Sequence, residues 1–200
     1  MNWTDDNSPT VWVVRHGEST WNVLKLVQGH ADGPTLTEKG RLQSAQAAEQ
    51  FRDRGIAAVF ASDLGRAQET ASFIGAVVGR SVASTPALRE RCFGRQEGLP
   101  LSALGSEVSG ISGDKVVDAS ARPEGGESLD ELYDRVGVFV EWLREQSYAG
   151  DVVLVTHGGT IRALRAYCSG RSMLHTVWDA VPNGSVWSIQ QAGTVQPSRC

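Results

Sequence analysis

Several features that mark particular classes of protein are scarce or missing in this chain of 200 residues. It has only three cysteines, Cys92, Cys168 and Cys200, with no CxxC pair. This favours free thiols in a reducing cytoplasm and leaves a pairing of two of them open. No apolar run approaches the roughly 18 residues of a membrane span, and the polar, acidic N-terminus is unlike a signal peptide. Basic residues are also few, because 19 Lys and Arg against 23 Asp and Glu give a net charge of −4. That balance argues against a nucleic-acid binder.

What the chain does contain is enough for one folded domain. Hydrophobic residues make up 40% of the sequence and charged residues 21%, so a core can form and the chain is not disordered. The length fits a single domain over residues 1–200. Residues 191–200 follow the last predicted strand, and we expect them to form a flexible tail.

Predicted strands and helices alternate along the sequence. Short apolar, mostly valine-rich runs predict strands at 10–15, 57–61, 151–155 and 184–189. Helical periodicity covers 37–54, 63–78, the segment after the capping box Ser128–Glu131, and 158–168. The inward face of the first helix is predicted to hold Leu42, Ala45, Ala48 and Phe51.

This alternation predicts an α/β fold with three layers, α/β/α, around a mostly parallel central sheet, because near-continuous apolar strands are covered on both faces. Residues 93–127 interrupt the pattern with a stretch rich in Gly and Ser. We expect this segment to form a loop or short helices, as a short cap over one edge of the site.

Histidines and arginines follow three of the predicted strands. In open α/β sheets, ligands bind outside the carboxyl ends of the strands. The first strand ends at Arg15-His16, the second leads into Arg66, and the DVVLV strand leads into His157-Gly158. Arginine offers a planar fork of donors that matches phosphate oxygens, and neutral histidine is a nucleophile near pH 7. The set therefore predicts a site for a dianionic phosphoryl group.

Motifs of other chemistries are missing from the sequence. It has no GxxxxGK[ST] loop, no HExxH, no GxSxG elbow and no clustered metal ligands. No metal site is therefore predicted.

The segment 14–22, VRHGESTWN, resembles the signature of the histidine phosphatase superfamily, in its phosphoglycerate mutase-like branch. Further matches follow in the family's order and span about residues 11–189. They are QG at 28–29, LTxxG at 36–40, SDLxRAxxTA at 62–71, LRE at 88–90, FGxxEG at 93–98, GGES at 125–128, VTHGG at 155–159 and NGS at 183–185. The resemblance implies the phosphoglycerate mutase-like fold and an enzyme that needs no metal or other cofactor.

The resemblance also implies roles for individual residues. His16 would be the nucleophile that becomes a phosphohistidine. Arg15, Arg66 and His157 would hold the phosphoryl oxygens and stabilise charge during transfer. His157 must then be a donor, and we expect it to be protonated when phosphate is bound. Glu90 matches the general acid that protonates the leaving alkoxide and later the base for the water that cleaves the phosphohistidine. Positions that contact phosphate or line the pocket match Asn22, Gln28, Gly29 and Gly158.

The family contains both hydrolases and mutases, and this sequence departs from the mutase pattern. Phe93 stands where mutases resemble one another in a tyrosine, and no lysine follows the FGxxEG motif closely. After Arg95, the segment 93–127 has only two basic residues, Lys115 and Arg122, so a second phosphate would be held weakly. We therefore expect a histidine phosphatase, a phosphomonoester hydrolase, with a cofactor-dependent phosphoglycerate mutase as the alternative.

The expected substrate is a small phosphorylated metabolite, a sugar phosphate or a phosphoglycerate-like compound, with a neutral or singly phosphorylated alcohol part. We expect no nucleic-acid or membrane partner, and monomer and homodimer both stay open. The loop 32–37 is one residue longer than the family pattern and is expected to bulge at the pocket rim. A non-catalytic phosphate- or partner-binding module on the same fold is an alternative of another class. The complete set of histidines and arginines argues against it.

Overall fold

The chain folds around a six-stranded sheet. The computed structural model describes residues 9–190 and 194–197. In chain order the elements are β1 (Val11–Arg15), α1 (Thr20–Val23), α2 (Glu38–Glu49), β2 (Ile56–Ser62), α3 (Gly65–Val78), β3 (Val82–Thr85), α4 (Ser106–Ser109), β4 (Ile111–Ser112), β5 (Lys115–Val116), α5 (Leu129–Glu145), β6 (Asp151–Thr156), α6 (Gly158–Cys168), β7 (Val186–Gln190) and β8 (Thr194–Pro197). Short 3-10 helices cover Pro86–Leu88, Gly94–Gln96, Leu101–Ala103 and Met173–His175.

The sheet is mostly parallel, which confirms the predicted fold class. Its strand order is β3-β2-β6-β1-β7-β8. The first four of these strands are parallel to one another, β7 is antiparallel to β1, and β8 is antiparallel to β7. Between β1 and β6, Arg15 lies opposite Thr156, and the His16 N–H donates to the Thr156 carbonyl at 3.0 Å. This register places His16 and His157 side by side where the two strands end.

Helices cover both faces of the sheet and complete the three predicted layers. One core lies under α5 and α6, and the other lies under α2 and α3. Helix α5 begins after Ser128, whose side chain forms the predicted capping box with Glu131. Its apolar stripe is buried, and it consists of Leu129, Leu132, Val136, Phe139, Val140 and Leu143. Full burial of one such side chain contributes about 1.5–3 kcal/mol, so this stripe fastens α5 to the sheet.

The inward face predicted for α2 agrees with the structure at Ala48 and Phe51, which are buried, and differs from it at Leu42. Leu42 is 62% exposed, and the buried positions include Gly40 and Ser44 instead. Small residues are needed there because a Cβ atom at Gly40 would lie 2.0 Å from the Glu18 carbonyl oxygen. The helix also ends at Glu49, before the predicted end at residue 54. The close approach of α2 to the loop after β1 therefore decides which residues face inward.

The end of the chain holds more structure than expected. Residues Thr194–Pro197 form β8, which pairs with β7, so the prediction of a flexible tail is wrong there. The residues that pair with β7 include the β-branched Thr194 and Val195, which suit a strand. The remainder of 191–200 lies outside the described residues.

The segment 93–127 contains short helices, as expected, and in addition the hairpin of β4 and β5. Two residues, Gly113 and Asp114, join these strands, and Gly113 has a φ of +61°. This Gly-Asp pair is a turn signal that the sequence carried.

Two further predictions concern thiols and membranes. Cys92 and Cys168 are free thiols, and Cys200 lies outside the described residues. None of the helices in the described ranges is both long and apolar enough to cross a membrane.

Candidate active site

His16 is held in one orientation directly after β1. The residue is 2% exposed, and its Nδ1–H donates to the Gly17 carbonyl at 2.7 Å. A neutral imidazole with its proton on Nδ1 has a free lone pair on Nε2. Burial, and then the charges of Arg66 and Arg15, lower the pKa of His16 well below its usual 6.5. His16 is therefore a neutral histidine whose Nε2 is free to react.

His157 lies beside His16, and Ser62 orients its proton. The two imidazole centroids are 5.0 Å apart. Ser62 Oγ lies 2.9 Å from His157 Nε2 and accepts from the Leu64 N–H at 3.3 Å. His157 Nε2 is the acceptor that the described residues place within reach of the Ser62 hydroxyl, so we assign the Ser62 proton to this hydrogen bond. Burial, and then the charge of Arg66, lower the pKa of His157 well below 6.5. In the site without a bound anion the ring is thus neutral, with its proton on Nδ1. Its protonation when phosphate is bound stays a prediction.

Three buried donor atoms at this place lack a partner. They are Arg15 Nε, Arg66 Nε and His157 Nδ1, for which the described residues supply no hydrogen-bond acceptor. Other nitrogens of the two guanidinium groups are anchored, since Arg66 Nη2 donates to the Gly29 carbonyl at 2.8 Å and Arg15 Nη1 donates to the Val181 carbonyl. An unpaired buried donor costs about 1–3 kcal/mol. Three of them together indicate a binding place for the oxygens of an anion.

Together, Arg15, His16, Arg66 and His157 form what we call the anion cradle. Burial lowers the pKa of Arg66 to about 10, which leaves this guanidinium charged at neutral pH. The cradle therefore combines two positive charges with two neutral imidazoles, and it suits a phosphoryl group. Across residues 9–190 and 194–197, no group of three or more His, Cys, Asp or Glu side chains could hold a metal ion.

Glu90 lies next to the cradle, at the start of α6. Its Oε2 accepts from the Gly159 N–H at 3.0 Å, and its Oε1 accepts from the Arg91 N–H at 2.9 Å. His30 Nε2–H donates to the Glu90 backbone carbonyl at 2.7 Å. A Cβ atom at Gly159 would lie 2.3 Å from Glu90 Oε1, so this approach requires glycine. The carboxyl group is therefore positioned to exchange a proton with a molecule bound at the cradle.

The other four predicted residues surround the cradle. Asn22 Oδ1 accepts from the Ser19 N–H at 3.0 Å, which leaves the Asn22 amide nitrogen as a donor. Gln28 Oε1 accepts from the Ser19 hydroxyl at 2.8 Å. Gly29 has a φ of +45°, and its carbonyl anchors the guanidinium of the cradle arginine as described above. Gly158 is the first residue of α6. All nine predicted residues thus lie in one region.

A cavity of about 190 Å³ opens beside the cradle. Six of the nine predicted residues line it, and these are Arg15, Asn22, Gln28, Gly29, Glu90 and Gly158. His16, Arg66 and His157 are at most 2% exposed and are not among the lining residues. The segment 93–127 contributes Phe93 and Leu101, so it covers one edge of the cavity as expected. Residues 32–37 are not among the lining residues, and the expected bulge of this loop at the rim stays a prediction.

Arg91 was not predicted, and it fastens the segment 93–127 to the site. The residue is buried, and its guanidinium donates to the carbonyls of Glu127 at 2.7 Å, Ser109 at 2.5 Å and Ala121 at 2.8 Å. Because Glu90 directly precedes Arg91, these hydrogen bonds also hold Glu90 next to the segment 93–127. No local pattern marks such a residue, because its three partners are distant in sequence.

Ser62, Asn183 and Arg162 were also missed as functional residues. Asn183 Nδ2 donates to the His16 carbonyl at 3.1 Å and so supports the loop after β1. Arg162 lines the cavity as a third arginine. A signal for Arg162 was present, because it follows Gly158 by four residues and so lies on the same face of α6.

The model of the histidine phosphatase superfamily (branch 1) matches residues 11–196. This chain belongs to that superfamily. Two relatives of this chain carry mutase names. It is 37% identical over 195 residues to "Phosphoglycerate mutase-like protein 4" of Arabidopsis thaliana, a match that covers 92% of the chain and 84% of the relative. It is 34% identical over 205 residues to "Probable phosphoglycerate mutase GpmB" of Photorhabdus laumondii, with 92% and 93% covered.

Solved structures with the same fold include phosphatases. A mycobacterial glucosyl-3-phosphoglycerate phosphatase in complex with VO3 superposes on this chain with a TM-score of 0.81 at 28% identity, over 96% of this chain and 98% of that one. A protein from Thermus thermophilus superposes with a TM-score of 0.71 at 30% identity, over 94% and 96% of the two chains. The phosphoglycerate mutase-like fold is thus confirmed.

Proposed function

We propose that this chain hydrolyses phosphomonoesters of small metabolites, sugar phosphates or phosphoglycerate-like compounds, through a phosphohistidine on His16. The observation that carries the proposal is a neutral histidine with a free Nε2 beside three unpartnered buried donors, Arg15 Nε, Arg66 Nε and His157 Nδ1. The three donors can bind the oxygens of a phosphoryl group, and the nucleophilic Nε2 of His16 lies next to them. Membership of the superfamily supports the same chemistry.

In the first half of the reaction, His16 Nε2 attacks phosphorus and the bond from phosphorus to the alcohol oxygen breaks. Arg15, Arg66 and His157 donate to the non-bridging oxygens, where charge develops. Glu90 gives its proton to the leaving oxygen, so that the product departs as an alcohol rather than an alkoxide. The Gly17 carbonyl, which accepts from His16 Nδ1–H, stabilises the positive charge of the phosphorylated ring.

In the second half, water attacks the phosphohistidine and the bond between phosphorus and Nε2 breaks. The Glu90 carboxylate accepts a proton from this water, as microscopic reversibility requires. Inorganic phosphate leaves, and His16 returns to its neutral form with the proton on Nδ1. Glu90 has its proton again for the next cycle.

The basic residues of 93–127 support hydrolysis rather than mutase chemistry. Arg95 pairs with Glu124 at 2.9 Å, and Arg122 pairs with Glu131 at 2.8 Å. Neither these arginines nor Lys115 lines the cavity. A mutase must hold a second phosphate, and this segment offers no cation to hold it. A non-catalytic module would not require Glu90 beside the cradle.

We also propose a cytoplasmic location, which the free thiols of Cys92 and Cys168 support. A single copy contains the whole cradle, so the proposed reaction needs no second subunit. The mass of the purified protein in solution decides between a monomer and a homodimer.

The function is tested by hydrolysis of p-nitrophenyl phosphate in the presence of a chelator. We expect turnover that persists with the chelator and is abolished by His16→Ala. Binding of phosphate without turnover would favour the non-catalytic module, and turnover that depends on a metal would contradict the mechanism. A second assay measures the conversion of 3-phosphoglycerate to 2-phosphoglycerate with and without 2,3-bisphosphoglycerate. Efficient isomerisation that needs the bisphosphate would favour the mutase.

A further inference from the structure

Arg162 places a guanidinium in the cavity outside the anion cradle. It follows Gly158 by one turn of α6, so both residues lie on one face of the helix. A Cβ atom at Gly158 would lie 3.2 Å from Arg162 Nη1 and 3.7 Å from Arg15 Nε. The two guanidinium groups therefore flank the same point of the wall. Glu90 and Trp178 line the cavity with Arg162.

The Arg162 side chain is fixed on one edge and open on the other. Its Nε donates to the Asp179 carbonyl at 3.0 Å, and Nη2 donates to the same oxygen. The guanidinium carbon lies 4.4 Å from the centroid of the Trp178 ring. Its Nη1 finds no hydrogen-bond partner among the described residues, and the carboxylate of Asp179 is 4.0 Å from Nε. A guanidinium held in this way is pre-organised to bind an anionic group in the cavity.

The group that Arg162 faces belongs to the alcohol part of the substrate. The phosphoryl group occupies the cradle, and the alcohol leaves on the side of Glu90, which protonates it. Burial lowers the pKa of Arg162 to about 10, and the charge of Glu90 opposes that shift, so the two side chains lie within electrostatic reach. The leaving alcohol therefore passes close to Arg162.

We infer that Arg162 is a specificity residue that binds a carboxylate on the alcohol part of the substrate, so that the preferred substrate is a phosphorylated hydroxy acid. The inference rests on the proposed hydrolase function. One guanidinium matches a single carboxylate, whereas a second phosphate would need more cations, and 93–127 brings only Phe93 and Leu101 to the cavity. Of the two expected substrate classes, sugar phosphates and phosphoglycerate-like compounds, this inference favours the second.

A matched pair of substrates tests the inference. D-3-phosphoglycerate and sn-glycerol 1-phosphate have the same configuration at C2 and differ at one carbon, which is a carboxylate in the first and a hydroxymethyl group in the second. We expect the wild-type protein to prefer the acid by about 10- to 100-fold in kcat/KM, as a charge-assisted hydrogen bond would give. In Arg162→Gln the ratio of the two kcat/KM values should fall to near one, and in Arg162→Lys to an intermediate value.

Arg165→Gln is the matched control. Arg165 lies on the same helix and pairs with the same Asp179 at 3.0 Å, but it does not line the cavity. Its replacement should leave the ratio unchanged. A wild-type ratio near one would overturn the inference, and so would a loss in Arg162→Gln that is equal for both substrates, because that marks a structural role.

A further pair of substrates tests whether Arg162 binds a second phosphate instead of a carboxylate. Fructose 1,6-bisphosphate is compared with fructose 6-phosphate, and a larger Arg162-dependent preference in this pair would overturn the assignment to a carboxylate. Failure of the proposed function looks different. It would appear as no turnover of either glycerol-based substrate or of p-nitrophenyl phosphate.

Discussion

Removal of the Ser62 hydroxyl is expected to weaken catalysis without removing any group that contacts the substrate. In Ser62→Ala, His157 Nε2 loses the donor that lies 2.9 Å away. Before an anion binds, the ring stays neutral, because burial and the charge of Arg66 keep the pKa of His157 well below 6.5. Its single proton can then sit on either nitrogen, and the ring with the proton on Nε2 cannot donate to a phosphoryl oxygen through Nδ1.

The size of the effect follows from this hydrogen bond. Its net value is about 1 kcal/mol, and leaving the buried Nε2 unsatisfied raises the cost to about 3 kcal/mol at most. We therefore expect kcat/KM for p-nitrophenyl phosphate to fall by about 5- to 150-fold. Ser188→Ala removes a buried hydroxyl from β7, away from the cradle, and should leave kcat/KM unchanged.

A double-mutant cycle separates this role from a general loss of structure. In a His157→Ala background, Ser62→Ala should cost almost nothing more, because its only route to the phosphoryl group is the imidazole. Nitrogen-15 NMR of the histidines gives a second readout, in which the His157 proton moves from Nδ1 towards Nε2 in Ser62→Ala. Equal losses in both backgrounds, or an unchanged His157 signal, would refute the role assigned to Ser62.

Three further outcomes concern the acid, the cap and the buried histidines. Gly159→Ala puts a Cβ atom 2.3 Å from Glu90 Oε1, so kcat/KM should fall at least about 10-fold for an alkyl phosphate and much less for p-nitrophenyl phosphate, whose leaving group needs no proton. Equal losses on both substrates would contradict this role. Arg91→Met leaves three carbonyls without their donor and should lower the free energy of unfolding in urea by about 3–5 kcal/mol, whereas a loss under about 1 kcal/mol would contradict it. The lowered pKa values of His16 and His157 mean that the unfolded chain takes up protons below about pH 6.5 that the folded protein rejects. Stability should then fall as the pH drops below 6.5, by up to about 1.4 kcal/mol per pH unit for each histidine. His16→Gln should remove one such contribution from the slope, and an unchanged slope would contradict the shift.

Elements whose periodicity reflects burial could be predicted from the sequence. The stripe of α5 and the valine runs of β1 and β6 face the cores because they are the apolar residues of those elements. In α2 the prediction of Leu42 as inward was wrong, because the helix approaches the loop after β1 so closely that only small residues such as Gly40 fit there. Close backbone approach of this kind depends on the tertiary fold and leaves no periodic trace.

The residues that we propose as contacts of the phosphoryl group could be predicted because they follow strand ends within recognisable motifs. The residues that hold these side chains in position could not be predicted, since the role of each depends on which atoms lie beside it in the folded chain. Ser62 matters only because His157 lies next to it, and Arg91 only because three distant carbonyls converge on it. The spacing of Arg162 from Gly158 predicts that it lies on the same face of α6. Which edge of its guanidinium faces the cavity depends on the hydrogen bond to the Asp179 carbonyl, which only the folded structure shows.

Phosphorylation of His16 is the step from which the mechanism follows, and it can be trapped. In Glu90→Gln the nitrophenolate still leaves, but the water that cleaves the phosphohistidine lacks its base. Rapid mixing with p-nitrophenyl phosphate should then give a burst of nitrophenol equal to the enzyme, followed by slow turnover. After a quench in alkali and digestion, mass spectrometry should find the phosphoryl group on His16 and none in the Glu90→Gln, His16→Ala double variant. Turnover without any phosphorylated peptide, or a phosphoryl group on His157 instead, would contradict the mechanism.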